Sequence, residues 1–295
     1  MQSKTPQKSR RSKSASATES LMEKANASTG DPSGDTPNET SPDFMRGFEL
    51  RVDRLAGEMR RAINDVRTAA QVLALGSDRI AHIPAQDHMF RFHLPQADRD
   101  ITQKRIMLNG ILPNADGYAA LALRLPRGGV FVDVGGYLGV SASFFSRICC
   151  ADEVHIFEPQ KVVMDVLLKN IELNEVKNAT VHQNAIMDEE TTVNPGVFRG
   201  ADMGATPFLK HAGGRYNGIS LDSLNFEAVD VLNLDYNGPK MLALTGAEGL
   251  IEKCKPFVVV DKTGRDIKDV ITFLTTRGYR HDQTVGLLIF YPEAN

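Results

Sequence analysis

Two acids and three glycines carry the clearest chemistry in this chain. Val130-Phe131-Val132 runs into Asp133, followed by Gly135, Gly136 and Gly139, and a stretch able to start a helix opens at Ser141. This pattern predicts a buried strand ending in a tight turn beneath a helix N-terminus, the place where an open α/β sheet holds a ligand. Gly135 and Gly136 let the backbone approach a ligand where a Cβ would clash, and Gly139 lets the helix begin close to the strand. Glu158 ends a second apolar strand, Val154-His155-Ile156-Phe157. A carboxylate there can accept hydrogen bonds from both hydroxyls of a ribose. The dinucleotide fingerprint has G-x-G-x-x-G, whereas this chain has G-G-x-x-G with Asp133 just ahead of it. That acid repels a phosphate and suits an ammonium group. A ligand with an amino-acid end and an adenosine end, S-adenosylmethionine, meets both requirements. A tight turn without ligand and a nicotinamide-dependent oxidoreductase are the alternatives, the second weakened by the glycine spacing.

The elements around these residues predict how they are held. Strands are expected at 130–134, 154–157, 179–183, 229–234 and 256–260, and helices at 141–149, 161–174, 240–253 and 266–277. Such alternation argues for a parallel sheet covered on both faces. Gly278-Tyr279-Arg280 and Leu287-Leu288-Ile289-Phe290-Tyr291 have no helix between them, so an antiparallel pair is expected at the sheet edge. The fold class is therefore α/β: a Rossmann-like open sheet, mostly parallel, with an antiparallel C-terminal edge hairpin. Residues 190–220 read as an insertion near the ligand mouth, with a short strand from Val193 to Phe198. Ahead of the sheet, a short strand is expected at 90–94 and helices at 100–110 and 117–125.

The N-terminal region differs. Residues 1–43 hold almost no large apolar side chains and are expected to be disordered. From 44 to 76, Phe48, Val52, Leu55, Met59, Ala62, Val66, Ala69 and Leu73 recur at alternating steps of four and three, the spacing of a heptad seam. A helix of roughly 48 Å follows from about 1.5 Å per residue. It either pairs two protomers as a coiled coil or packs on its own catalytic domain. The remaining residues, 77–295, form the third part of the chain.

Composition excludes several classes. A formal net charge of −3 gives no global drive toward nucleic acid or an anionic membrane. No apolar run approaches the roughly 20 residues that span a bilayer. Cys149, Cys150 and Cys254 lack metal-ligand spacing and read as reduced thiols of a cytoplasmic protein. The histidines lack the spacing of a helical metal pair, so no metal site is expected.

Several segments, in order and spacing, resemble the FkbM-type methyltransferases. They are residues 130–139, His155-Ile156-Phe157-Glu158-Pro159, Leu168-Lys169-Asn170-Ile171-Glu172-Leu173-Asn174, Asn184-Ala185-Ile186, the stretch from Ile219 to Asp235, and Gly246-Ala247-Glu248-Gly249-Leu250-Ile251 with residues 256–261. The resemblance covers roughly residues 90–291. It implies a class I methyltransferase fold, S-adenosylmethionine as donor, and methylation of a hydroxyl on a sugar, glycan or small natural product. By the same resemblance Asp133, Gly135 and Gly139 line the methionine half, Glu158 is the ribose acid, Asn184 and Ala185 flank the adenine, and Asp235 closes the fourth strand beside the point of methyl transfer. Asp235 is thus the candidate base, with the loop residue His211 as a second choice. The family pattern Asp-x-Glu-Gly-x-Glu reads Asp235-Tyr236-Asn237-Gly238-Pro239-Lys240 here, an amide and a cation replacing two carboxylates. A catalytically weak or inactive methyltransferase-like interaction module is the alternative that this departure leaves open.

Overall fold

The run Val130–Val134 (β3) is a central strand because both of its faces must be buried, and four of its five residues are. In the computed structural model, which describes residues 42–197, 202–262 and 264–293, it belongs to a seven-stranded sheet. The other strands are Glu153–Phe157 (β4), Ala179–His182 (β5), Val231–Leu234 (β10), Phe257–Asp261 (β11), Tyr279–Gln283 (β12) and Leu287–Pro292 (β13). Their order is β12-β13-β11-β10-β3-β4-β5. Every pair is parallel except those made by β13, which runs antiparallel to both β11 and β12. The expected C-terminal hairpin is therefore present at the edge, with β12 outermost.

Alternate residues of β3 feed two apolar layers. Phe131 packs with Phe90, Phe144, Phe145 and Leu167 on one face. Val132 and Val134 pack with Leu232, Ala243, Val258 and Val270 on the other. The covering helices include Val140–Phe144 (α4), continued by a π turn at Phe145–Cys149, and Lys161–Leu173 (α5). A single helix expected over 240–253 is two, Lys240–Thr245 (α6) and Glu248–Cys254 (α7). Gly246 explains the break: a Cβ there would stand 2.0 Å from the carbonyl oxygen of Met187, so the corner between the helices lies directly on neighbouring backbone.

The 190–220 insertion is richer than its sequence showed. Ala185–Ile186 (β6), Thr191–Pro195 (β7), Phe208–Lys210 (β8) and Tyr216–Ile219 (β9) form a second sheet in the order β6-β9-β7-β8. These strands are too short to display a two-residue period. A hairpin of Ile80–Ala85 (β1) and His88–His93 (β2) turns at Gln86 and Asp87, with φ of 47° and 60°. Two positive-φ residues make the turn type that sequence usually marks with Asn-Gly, and that mark is missing here. Helices Ile101–Asn109 (α2) and Ala115–Ala122 (α3) complete the domain. Asp100 caps α2, its side chain accepting from the Gln103 N–H.

The chain divides into two compact units, Met1–Arg61 and Ala62–Asn295. Helix Pro42–Ala74 (α1) runs from the first into the second. The disordered tail expected over 1–43 lies, up to residue 41, outside the described residues. Within the second unit, Thr68 is buried, Val72 and Leu75 pack on the core, and Arg67 donates to the Leu108 carbonyl at 3.1 Å. The heptad seam does not do this docking: Val66 is 71 % and Leu73 80 % exposed. Phe48, Val52, Leu55 and Met59 are exposed as well. No helix among the described residues is long and apolar enough to cross a membrane.

Candidate functional site

The tip of β3 is tied to the tip of β4. Backbone N–H groups of Gly135 and Gly136 both donate to the Phe157 carbonyl, at 2.9 and 3.1 Å. The next N–H, of Tyr137, donates to Glu158 Oε2 at 3.1 Å, and the Gln160 N–H donates to Glu158 Oε1 at 2.8 Å. Glu158 is 3 % exposed. Burial pushes its carboxyl up to about 7, against the pull of those two N–H groups. Two bonds leave spare acceptor capacity on a carboxylate, which offers about four lone-pair sites.

Glu158 opens into a crevice with about 480 Å³ of empty space, part of it continuous with solvent. Gly135, Asn184 and Ala185 line it, together with Gln160, Tyr236 and Asn237. Phe157, Pro159 and Ile186 supply apolar wall. Gly136 and Gly139 are elsewhere. A Cβ on Gly136 would lie 2.2 Å from Ile156 Cγ2, and one on Gly139 2.9 Å from Leu167 Cδ1. Those two glycines are required by packing of the turn on β4 and α5. Gly135, at φ +86° with Tyr236 Cβ 2.4 Å from its missing Cβ, is required by both conformation and space.

Asp133 lies beneath the turn, 1 % exposed and outside the crevice lining. Register sets Asn233 opposite it, and Asn233 Nδ2 donates to Asp133 Oδ1 at 2.8 Å. Ser141 Oγ donates to Oδ2 at 2.6 Å. Burial raises this carboxyl to about 6, against those bonds. Both oxygens are therefore engaged in organising the turn and the start of α4.

Asp235 follows β10. Its Oδ2 accepts from Asn114 Nδ2 and from the Tyr118 hydroxyl, each at 2.6 Å. Burial pushes its carboxyl up, opposed by those two donors. Oδ1 takes neither bond. Lys240, the cation in the departed pattern, is fully buried. Its Nζ stands 2.6 Å from Asp261 Oδ1 and donates to the Tyr236 carbonyl at 2.8 Å. A carboxylate one strand over thus matches the charge that sequence left unbalanced. His211 is exposed and lies outside the crevice lining. No group of metal-ligating side chains occurs among the described residues.

Sequence reasoning missed Asn114, Tyr118, Ser141 and Asn233. Only Asn233 carried a signal, a polar residue inside the apolar strand Val231-Leu232-Asn233-Leu234.

A sheet with one reversed strand next to its edge and a carboxylate-ended crevice at the tips of β3 and β4 define a class I methyltransferase domain. Residues 133–281 match the family model described as the methyltransferase FkbM domain, and the chain belongs to that family. The FkbM methyltransferase of Methylobacillus flagellatus KT is a structural neighbour at 19 % identity and a TM-score of 0.44, aligned over 57 % of this chain and 45 % of that one. The chain thus spans less than half of that relative's length. An rRNA methylase of Streptococcus thermophilus aligns over 62 % of this chain and 97 % of its own at 12 % identity and a TM-score of 0.42. M. jannaschii TYW2 in complex with AdoMet aligns over 73 % and 84 % at 13 % identity and a TM-score of 0.37. No curated protein matches the sequence. The cofactor of the FkbM family is S-adenosylmethionine, and the Glu158 end of the crevice fits it: a carboxylate with free lone pairs stands beside apolar wall.

The raised carboxyls make stability depend on pH. Native Glu158 and Asp133 hold their protons up to about 7 and about 6, against ordinary values of 4.5 and 3.8. Between those limits the folded state binds more protons than the unfolded one, so ligand-free stability falls as pH rises. Urea melts from pH 4 to 8 are expected to show this decline, and Glu158→Gln to flatten its upper part by an amount on the order of 2 kcal/mol. An unchanged slope in the variant counts against the assignment.

Proposed function

We propose that this chain is an S-adenosylmethionine-dependent O-methyltransferase that methylates a hydroxyl of a sugar, glycan or small natural product. The observation that carries the reading is Glu158: buried, still able to accept hydrogen bonds, and opening into a crevice that reaches solvent. Glu158 is assigned to the ribose hydroxyl pair, Asn184 and Ala185 to the adenine side, and Gly135 to the close approach of the turn. Asp133 acts from beneath by fixing the turn, through Ser141 and Asn233. Gly136 and Gly139 serve the cofactor by allowing the turn its shape.

The bound donor supplies a methyl group already activated on a sulfonium, so the protein's task is alignment. Asp235 is assigned as the base that takes the acceptor's hydroxyl proton, at Oδ1. Asn114 and Tyr118 hold the carboxylate through the other oxygen, and burial raises its basicity. The net charge of −3 supports a small-molecule or glycan acceptor rather than nucleic acid. Three free thiols fit a cytoplasmic setting. A second copy is assigned to the α1 seam, because the seam keeps heptad spacing and stays exposed where the helix docks by another face.

S-adenosylhomocysteine is expected to raise the melting temperature, more at pH 8 than at pH 6 because ionised Glu158 is the better acceptor. Glu158→Ala should abolish the shift, and a shift that survives refutes the site. Asp235→Asn should keep the shift while turnover of an acceptor found by a labelled-donor screen falls about 10²-fold or more; full turnover removes Asp235 as base. Leu55→Asp should convert a dimer to a monomer in light scattering, and an unchanged mass rejects the seam pairing.

A further inference from the structure

The crevice has a roof as well as a floor. Residues 202–208 cross it, and Gly204, Thr206 and Phe208 form part of its lining. Gly204 lies flat on the Tyr137 ring, where a Cβ would come within 2.6 Å of Cδ1. Behind the roof, Asp100 uses one carboxylate oxygen to cap α2 and the other, Oδ2, to accept the Met203 N–H at 2.8 Å. That contact anchors the segment to the domain. Its far end enters β8, where Phe208 pairs with Pro195.

Two further bonds come from the crevice itself. Gln160 Nε2 donates to the Met203 carbonyl at 3.0 Å, and Asn237 Nδ2 donates to the Ala205 carbonyl at 2.8 Å. Gln160 follows β4, and Asn237 follows β10, on the opposite side of β3. Both residues line the crevice. Carbonyls two residues apart are thus held by side-chain amides reaching up from either bank. A carboxylate at position 237, the type found in the family pattern, has no hydrogen to donate and would repel the Ala205 oxygen.

Resting on the cofactor reading above, we propose that residues 202–208 form a latched roof over the cofactor crevice. Gln160 and Asn237 are its latch, positioning residues that must release the roof for a nucleoside ligand to enter or leave. The departure at Asn237 then has a physical purpose: the amide exchanges a charge for a donor and slows exchange of the bound ligand.

The isosteric variants Asn237→Asp and Gln160→Glu each remove one donor from the full-length protein. Dissociation of S-adenosylhomocysteine, followed by stopped-flow competition, should quicken roughly 3- to 10-fold in each, the range set by loss of one net hydrogen bond. The ligand-free melting temperature should stay within about 2 °C, since a segment that opens locally can lose one hydrogen bond without unfolding the domain. Amide exchange at 202–208 should rise in both variants without ligand, while exchange in β3 and β4 stays as in the wild type. Wild-type dissociation rates with unchanged exchange at 202–208 overturn the latch and leave the cofactor site standing. A wild-type protein that does not bind S-adenosylhomocysteine overturns the cofactor reading and the latch with it. Because the variants sit on opposite banks, either one suffices if the other does not fold.

Discussion

Three consecutive backbone N–H groups, of Gly135, Gly136 and Tyr137, donate to the last carbonyl of β4 and the carboxylate just beyond it. The rest of the site depends on that seam between two strand tips. It bends the chain sharply, sends α4 away from Gly139, and leaves Glu158 with two bonds made and capacity for more. The glycines permit it for separate reasons. Gly135 adopts a conformation that side chains rarely take, and Gly136 occupies space that Ile156 would otherwise contest. A residue with a Cβ at either position would part the tips and open the crevice floor.

Charge in this region is arranged by layers. Asp133, closest to the core, is fully engaged by Ser141 and Asn233, so it shapes the turn more than it meets a ligand. Glu158 is buried yet unsaturated. Asp235 is held by two neutral donors through one oxygen. Lys240 is sealed against Asp261. The cation at this position is therefore buried against Asp261 and the Tyr236 carbonyl and adds no free charge to the crevice. Burial pushes the carboxyls of Asp133, Glu158 and Asp235 up, and the donors that each one meets pull against it.

The helix α1 shows the limits of periodic reading. Its heptad pattern predicted a helix, and the helix is there. Pattern alone could not tell which face meets the domain. Thr68, Val72 and Leu75 dock it, and all three are off the expected stripe by one position or two. Local fit to the neighbouring surface chose the docked face, and seam residues such as Val66 and Leu73 remained outward.

What sequence by itself determined is the set of features written in local order: the strand–turn–helix at Asp133, the acid after β4, the alternation that builds a parallel sheet, and the reversed C-terminal pair. Each follows from backbone preference and hydrophobic period, which act over a few residues. Tertiary structure decided the rest. Asn114 and Tyr118 reach Asp235 across more than a hundred positions, Asp261 answers Lys240 from the next strand, and residues 202–208 roof a crevice whose floor lies at 135 and 158. Those contacts depend on which strand tips lie side by side, and strand order follows from packing of the whole sheet, not from any single segment.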